Sequence, residues 1–257
     1  MGRFRLLRGL FGSHCVVAAI LAMVPGGAAR AGEVTVAVAA NFANAANEIG
    51  ALFTEKTGHT AIFSFGSTGQ LYSQISQGAL FEVFLAADKV RPAKAIADGF
   101  GVAGSIFTYA TGRIVLYSPD PDRVKGEDTL MTGDFDKIAI ANPETAPYGA
   151  AAVETMTALG VHQALQPKIV QGSNIAQAFQ FVATGNAEIG FVALSQVATS
   201  EGGSRWIVPE ELYSPIAQDA VVLKGGDGNQ AAAAFIAFLK GPEANAVKEK
   251  YGYGTGD

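Results

Sequence analysis

Sulfur and imidazole are scarce in this chain. Its 257 residues include one cysteine, Cys15, and three histidines, His14, His59 and His162. A disulfide framework needs paired cysteines, and a zinc cluster needs His or Cys at ligand spacing. Neither pattern is present. His59 and His162 stand alone and read as surface residues. Only 16% of the residues are charged. The Gly-rich phosphate loop ending in Lys-Ser/Thr is absent. The Gly-x-Ser-x-Gly elbow of hydrolases is absent too, because Ser67 follows Gly66 directly and precedes Thr68-Gly69. Glu82 and Glu188 each stand near a strand start, where a lone carboxylate is usually solvated. With no acid–base pair in view, the chain reads as a binder and not as an enzyme. Past the first 31 residues, no apolar run approaches the ~20 residues of a membrane-spanning helix.

Those first 31 residues read as an export leader. Arg3, Arg5 and Arg8 precede a short apolar run from Cys15 to Val24, and Ala29-Arg30-Ala31 fits a small-x-small cleavage site. Gly12-Ser13-His14, ahead of the cysteine, lack the apolar residue of a lipoprotein signal. The expected product, residues 32–257, has no cysteine and is periplasmic. The leader removes four arginines and no acid, so fourteen cations face 23 carboxylates, a net charge of −9. That balance argues against nucleic acid as a partner. The mature chain is expected to be soluble and monomeric.

What the sequence does have is one plan written twice. Thr60 to Phe65 alternates as a strand, Gly66-Ser67-Thr68-Gly69 turns, and Leu71, Ile75 and Ala79 mark one helical face. About a hundred residues later Lys168-Ile169-Val170-Gln171 leads to Gly172-Ser173-Asn174, and Ile175, Ala178, Phe179 and Val182 form the face. Each copy then meets a glycine (Gly78, Gly185), a carboxylate (Glu82, Glu188) and an apolar strand. A Gly-Ser turn that opens a helix is a neutral anion site: the first amides lack intrahelical acceptors, and the helix dipole adds about half a positive charge. The plainer reading is that Ser67, Thr68 and Ser173 cap their helices.

Ahead of the first copy lie a strand, Val34 to Val38, and a helical stripe through Phe42, Ala45, Ala46, Ile49, Leu52 and Phe53, with Asn41 at the N-cap position. Strand, helix, strand, helix, strand implies a parallel sheet, with ligands beyond its carboxyl ends. Ile106 to Tyr117 reads as extended, Ser118 to Gly133 as loop with at most a turn of helix, and Asp136 to Ala141 as a strand. Pro147 suits a first helical turn, and Tyr148 beside it is open between packing and a phenol aimed at a ligand. Strands at Ser204–Val208 and Asp219–Leu223 and two closing helices complete the chain, with a Gly-rich end expected to fray. Two lobes would join near Thr111–Arg113 and Pro215–Asp219.

Ala37-Val38-Ala39-Ala40-Asn41-Phe42, Phe65 to Leu71, Ala86-Ala87-Asp88, Asn142 to Gly149, Gly190-Phe191-Val192 and Leu239 to Ala244 run in one order across the mature chain. In that order they resemble the periplasmic molybdate-binding proteins of ABC transporters, within the type II bacterial solute-binding fold. The resemblance implies an α/β, two-lobed periplasmic-binding-protein type II fold, each lobe a mainly parallel sheet flanked by helices, with two strand crossovers. Residues 32–112 with 218–257 would form lobe I, and 113–217 lobe II. It further implies molybdate or tungstate held by neutral donors and delivered to the membrane permease of an ABC transporter, with no cofactor and no direct metal-cation ligand. By the same resemblance, Asn41 and the Ala40 amide bind from the first helix, and Thr68, with Ser67 beside it, from the second. Tyr148 binds from the third, and the Ile175 amide from the second lobe. Some relatives instead place a ligand tyrosine just after Gly-apolar-Val, where this chain has Ala193. The alternative guest is another tetrahedral oxyanion, sulfate or phosphate.

Overall fold

The computed structural model describes residues 1–2 and 31–255. The leader read at residues 1–31 lies almost wholly outside them. A six-stranded sheet takes most of the first and last thirds of the chain, and a five-stranded sheet takes the middle. β1 (Glu33–Ala39), α1 (Ala43–Thr57, entered through a 3-10 turn at Ala40–Phe42), β2 (Thr60–Gly66), α2 (Thr68–Ser76) and β3 (Val83–Leu85) form the expected alternation. β1 lies between β2 and β3, parallel to both. After α3 (Val90–Ala97), β4 (Phe107–Gly112) ends the first pass through this sheet.

The second sheet starts two residues later, after Arg113. β5 (Ile114–Ser118), α4 (Asp128–Thr132), β6 (Ile138–Ala141), α5 (Pro147–Ala158), α6 (His162–Leu165), β7 (Ile169–Gly172), α7 (Ile175–Ala183), β8 (Ile189–Ala193), α8 (Leu194–Val197) and β9 (Ser204–Ile207) follow in turn. β6 is parallel to β7 and β8, while β5 runs antiparallel to β8 and β9. The chain then returns through β10 (Ile216–Val222), α9 (Gln230–Leu239), α10 (Pro242–Lys250) and β11 (Gly254–Thr255). β10 is antiparallel to β3 and β4. The sheets are therefore mixed and not mainly parallel as expected, because the strands near the crossings pair antiparallel. The strands of the repeated plan are parallel to β1 and β6, which lie between them. The expected run from Ile106 to Tyr117 is two strands, because the chain changes sheet at Arg113.

Burial follows the sequence pattern. The inner strands β3, β6 and β8 are buried on both faces, as strands covered by helices on each side must be, while the edge strands β2 and β7 are partly exposed. Phe42, Ile49, Phe53 and Phe235 fill one side of the first sheet, and Leu71, Ile75 and Phe84 the other. Phe53 meets Phe235 edge to face at 5.4 Å. Burying each such ring contributes about 1.5–3 kcal/mol.

Three expectations are corrected. The tail does not fray at Tyr253–Thr255: β11 pairs with β4, and Tyr253 is buried. His59 is buried, its Nδ1 accepting from Gly32 N at 2.9 Å. Glu82 and Glu188 are not simply solvated. Glu82 accepts from Thr35 N on β1 (2.7 Å), and Glu188 accepts from Asp136 N and Lys137 N ahead of β6 (2.6 and 2.9 Å). In both copies the carboxylate ties the end of its own helical unit to the start of a neighbouring strand.

Lys248 on α10 is buried without a carboxylate partner among the described residues. Its Nζ donates to Tyr109 O (2.9 Å) and Leu239 O (3.2 Å), and burial lowers its pKa from 10.5 to about 8. Between those two values the unfolded chain binds the extra proton, so this group's contribution to stability rises with pH across that window. Lys248→Met should therefore gain on the parent at pH 7, by at most about 3 kcal/mol. The gain should shrink as pH rises from about 8 to 10. Denaturant unfolding of both proteins across that range checks the sign, and a gain that grows with pH would refute it.

Candidate functional site

The carboxyl ends of the parallel strands in both sheets point at each other. From them start four helical segments, at Ala40, Thr68, Pro147 and Ile175. Their first turns enclose one small cavity, with about 10 Å³ open to the centre of a water molecule. That is the room of about one such molecule, so the space is small and suits a compact ion. Ala40, Asn41, Ser67, Thr68, Tyr148 and Ile175 all line it, and no charged side chain does. Ala193 is not among the lining residues. A larger groove of about 680 Å³ opens alongside, shares Ala87 and Pro147 with the cavity, and carries Lys89, Arg91, Lys94 and Glu154. The starts of α3 and α5 border it, but those at Ala40, Thr68 and Ile175 do not.

The hydroxyls of the cavity share one arrangement. Thr68 Oγ1 accepts from Ala87 N at 2.9 Å, and Tyr148 Oη accepts from Gln218 Nε2 at 3.2 Å. Ser67 Oγ accepts from Gln70 N while Gln70 Oε1 accepts from Ser67 N, both at 3.4 Å, a capping box that bears out the capping reading for Ser67. Each oxygen is engaged as an acceptor, and none of the three protons has a protein acceptor among the described residues. Burial, before any charge effect, pushes the Tyr148 phenol well above its ordinary pKa, so it remains a donor. In the second copy Asn174, and not Ser173, caps the helix, its side chain accepting from Gln177 N at 3.0 Å. That leaves the Ile175 amide at the first helical position without an intrahelical acceptor.

The Asn41 side chain is tied into the protein itself. Its Nδ2 donates to Gln218 Oε1 (2.9 Å) and Tyr253 Oη (3.1 Å), so both amide protons are spent inside the protein and not on a guest. Its carbonyl accepts from Tyr253 Oη (2.7 Å) and Ser195 Oγ (2.8 Å). What Asn41 offers the cavity is the backbone amide of a helix start. Behind it lies a buried polar network with Gln218, Tyr109, Tyr253 and Ser195 that the sequence reading leaves out. Gln218 carried a usable signal, an amide in the apolar strand Ile216–Val222. Tyr253 carried none, because its place depends on β11 pairing.

The rim is stitched across the two sheets. Gly69 N donates to Thr145 O at 2.8 Å, and Arg91 Nη2 donates to Glu144 O at 2.9 Å. Arg91 is itself held by Asp88, at 2.5 Å.

Comparison with known proteins bears on this architecture. The pattern of the family described as bacterial extracellular solute-binding protein matches residues 34–254. The chain belongs to that family. Among individual members of the solute-binding family, it is 58% identical to the molybdate-binding protein ModA of Rhodobacter capsulatus, over 93% of this chain and 95% of that one. It is 54% identical to the ModA of Azotobacter vinelandii, over 88% and 92%. The solved structure of an Azotobacter vinelandii periplasmic molybdate-binding protein superposes with a TM-score of 0.83 at 38% identity, covering 86% of this solute-binding chain and 98% of that one. The two-lobed α/β fold and the resemblance read from the sequence are both borne out.

Proposed function

We propose that this chain captures molybdate, or tungstate, between its two lobes in the periplasm and hands it to the membrane permease of an ABC transporter. The observation that carries the reading is the convergence of four helix starts and three acceptor-engaged hydroxyls on one cavity without a charged side chain. Lobe I would comprise residues 32–112 and 218–257, and lobe II residues 113–217, with the leader cleaved after about Ala31. The similarity to proteins named as molybdate-binding supports the choice of guest. So does the chemistry. Molybdate is a fully deprotonated dianion at neutral pH, and every one of its oxygens accepts. Amide and hydroxyl donors bind it through charge-assisted hydrogen bonds. Hydrogen phosphate also carries a proton and rewards a carboxylate acceptor, and none lines this cavity. Sulfate has the same charge and differs in size. The chain acts as a carrier and not as a catalyst, needs no cofactor and works as a monomer.

Calorimetric titration and thermal shift at matched ionic strength test the reading. A guest at a hundred times its Kd stabilises by about 2.7 kcal/mol, roughly 5–10 °C for a chain of this size. Molybdate and tungstate should give that shift, and sulfate and phosphate should give little. A shift with sulfate and none with molybdate would reject the assignment in favour of the other oxyanion.

A further inference from the structure

Gln218 is fully buried in β10, the strand that brings the chain back into the first sheet. The ladder between β10 and β4 slips between Gln218 and Asp219. Gln218 faces Ala110 and Asp219 faces Thr108, so the extra residue of the slip is Tyr109 on β4, and Gln218 and Asp219 are both buried. Gln218 Oε1 accepts from Asn41 Nδ2 (2.9 Å) and Tyr109 Oη (3.0 Å), and Gln218 Nε2 donates to Tyr148 Oη (3.2 Å). One side chain thus reaches a helix start of each sheet. It is also the sole hydrogen-bond partner of the Tyr148 phenol among the described residues.

We propose that Gln218 is a positioning residue for oxyanion capture: by donating to Tyr148 Oη it occupies the phenol oxygen and directs the phenol proton at the guest. Because a hydroxyl has a single proton, the polarity of its one protein contact decides what it shows the cavity. An acceptor at position 218 would draw that proton away, and an apolar group would release the phenol to rotate. The proposal rests on the molybdate reading above.

A double-mutant cycle on molybdate affinity, with Gln218→Met, Tyr148→Phe and the pair, tests it. Gln218→Met should cost about tenfold alone, the scale of one hydrogen bond, and clearly less in the Tyr148→Phe background. Gln218→Glu keeps the shape but replaces the donor with an acceptor. It should cost more than Gln218→Met, and it takes that variant's place in the cycle if Gln218→Met does not fold. A residue with only a structural role would give losses that add. Fully additive losses, or wild-type affinity in Gln218→Met, overturn the proposal while leaving molybdate capture intact. Failure of the parent protein to bind molybdate overturns the functional reading itself.

Discussion

Gly112→Ala is expected to leave a folded protein that has lost about a hundredfold or more of its oxyanion affinity. Gly112 ends β4, the outgoing crossing strand, and its missing side chain is the seat of the Tyr148 phenol. A Cβ there would collide with Tyr148 Oη and lie 2.5 Å from Gln218 Nε2. The backbone at Gly112 is not in the left-handed region, so the effect is steric and local. The phenol is buried and lines the cavity, so a shift that relieves the collision disturbs the space proposed for the guest. Losing one hydrogen bond to a charged partner costs about 1.5–3 kcal/mol, and filling the cavity adds to that. Titration calorimetry gives the affinity and circular dichroism the fold. Tyr148→Phe added to Gly112→Ala should relieve part of the collision and restore stability without restoring binding. Wild-type affinity in Gly112→Ala would mean that the phenol does not serve the guest.

Gly149→Ala is expected to strike the fold itself. Gly149 lies in the first turn of α5, pressed against the end of β6. An added Cβ would meet Ala141 O and lie 2.8 Å from Ala141 C and 2.9 Å from Asn142 C. Those are backbone atoms, which no rotamer change can move aside. α5 would have to lift from the sheet, carrying Pro147 and Tyr148 with it. Overpacking of this kind costs about 3 kcal/mol or more, so the melting midpoint should fall by roughly 6–12 °C. Binding should weaken along with it. A midpoint within a degree of the parent would show that α5 rides more loosely on β6 than these contacts imply.

The repeated plan is legible in the sequence because its signals are local. Apolar alternation, a Gly-Ser turn, a helical face and a closing glycine each span a few residues. Gly78 and Gly185 both take the left-handed conformation expected of glycine at a helix end. All six candidate residues line one cavity for the same reason, since each stands at or beside a helix start. What is illegible is non-local. Asn41 looks like an exposed donor until Gln218, 177 residues away, and Tyr253, 212 away, take both of its protons. The slip that makes Tyr109 an extra residue on β4, opposite Gln218 and Asp219, has no local signal in the sequence. Glu82 looks like a solvated carboxylate because its role depends on Thr35 lying beside it in the sheet.

The seam at Gly69–Thr145, Arg91–Glu144 and Ser195–Asn41 has a kinetic consequence. Where those contacts must part for an ion to leave, its dwell time is governed by how often the rim unzips as well as by how firmly the ion is gripped. Capture and escape can then be tuned apart: weakening the stitching shortens the stay while every group that touches the cargo remains as it was.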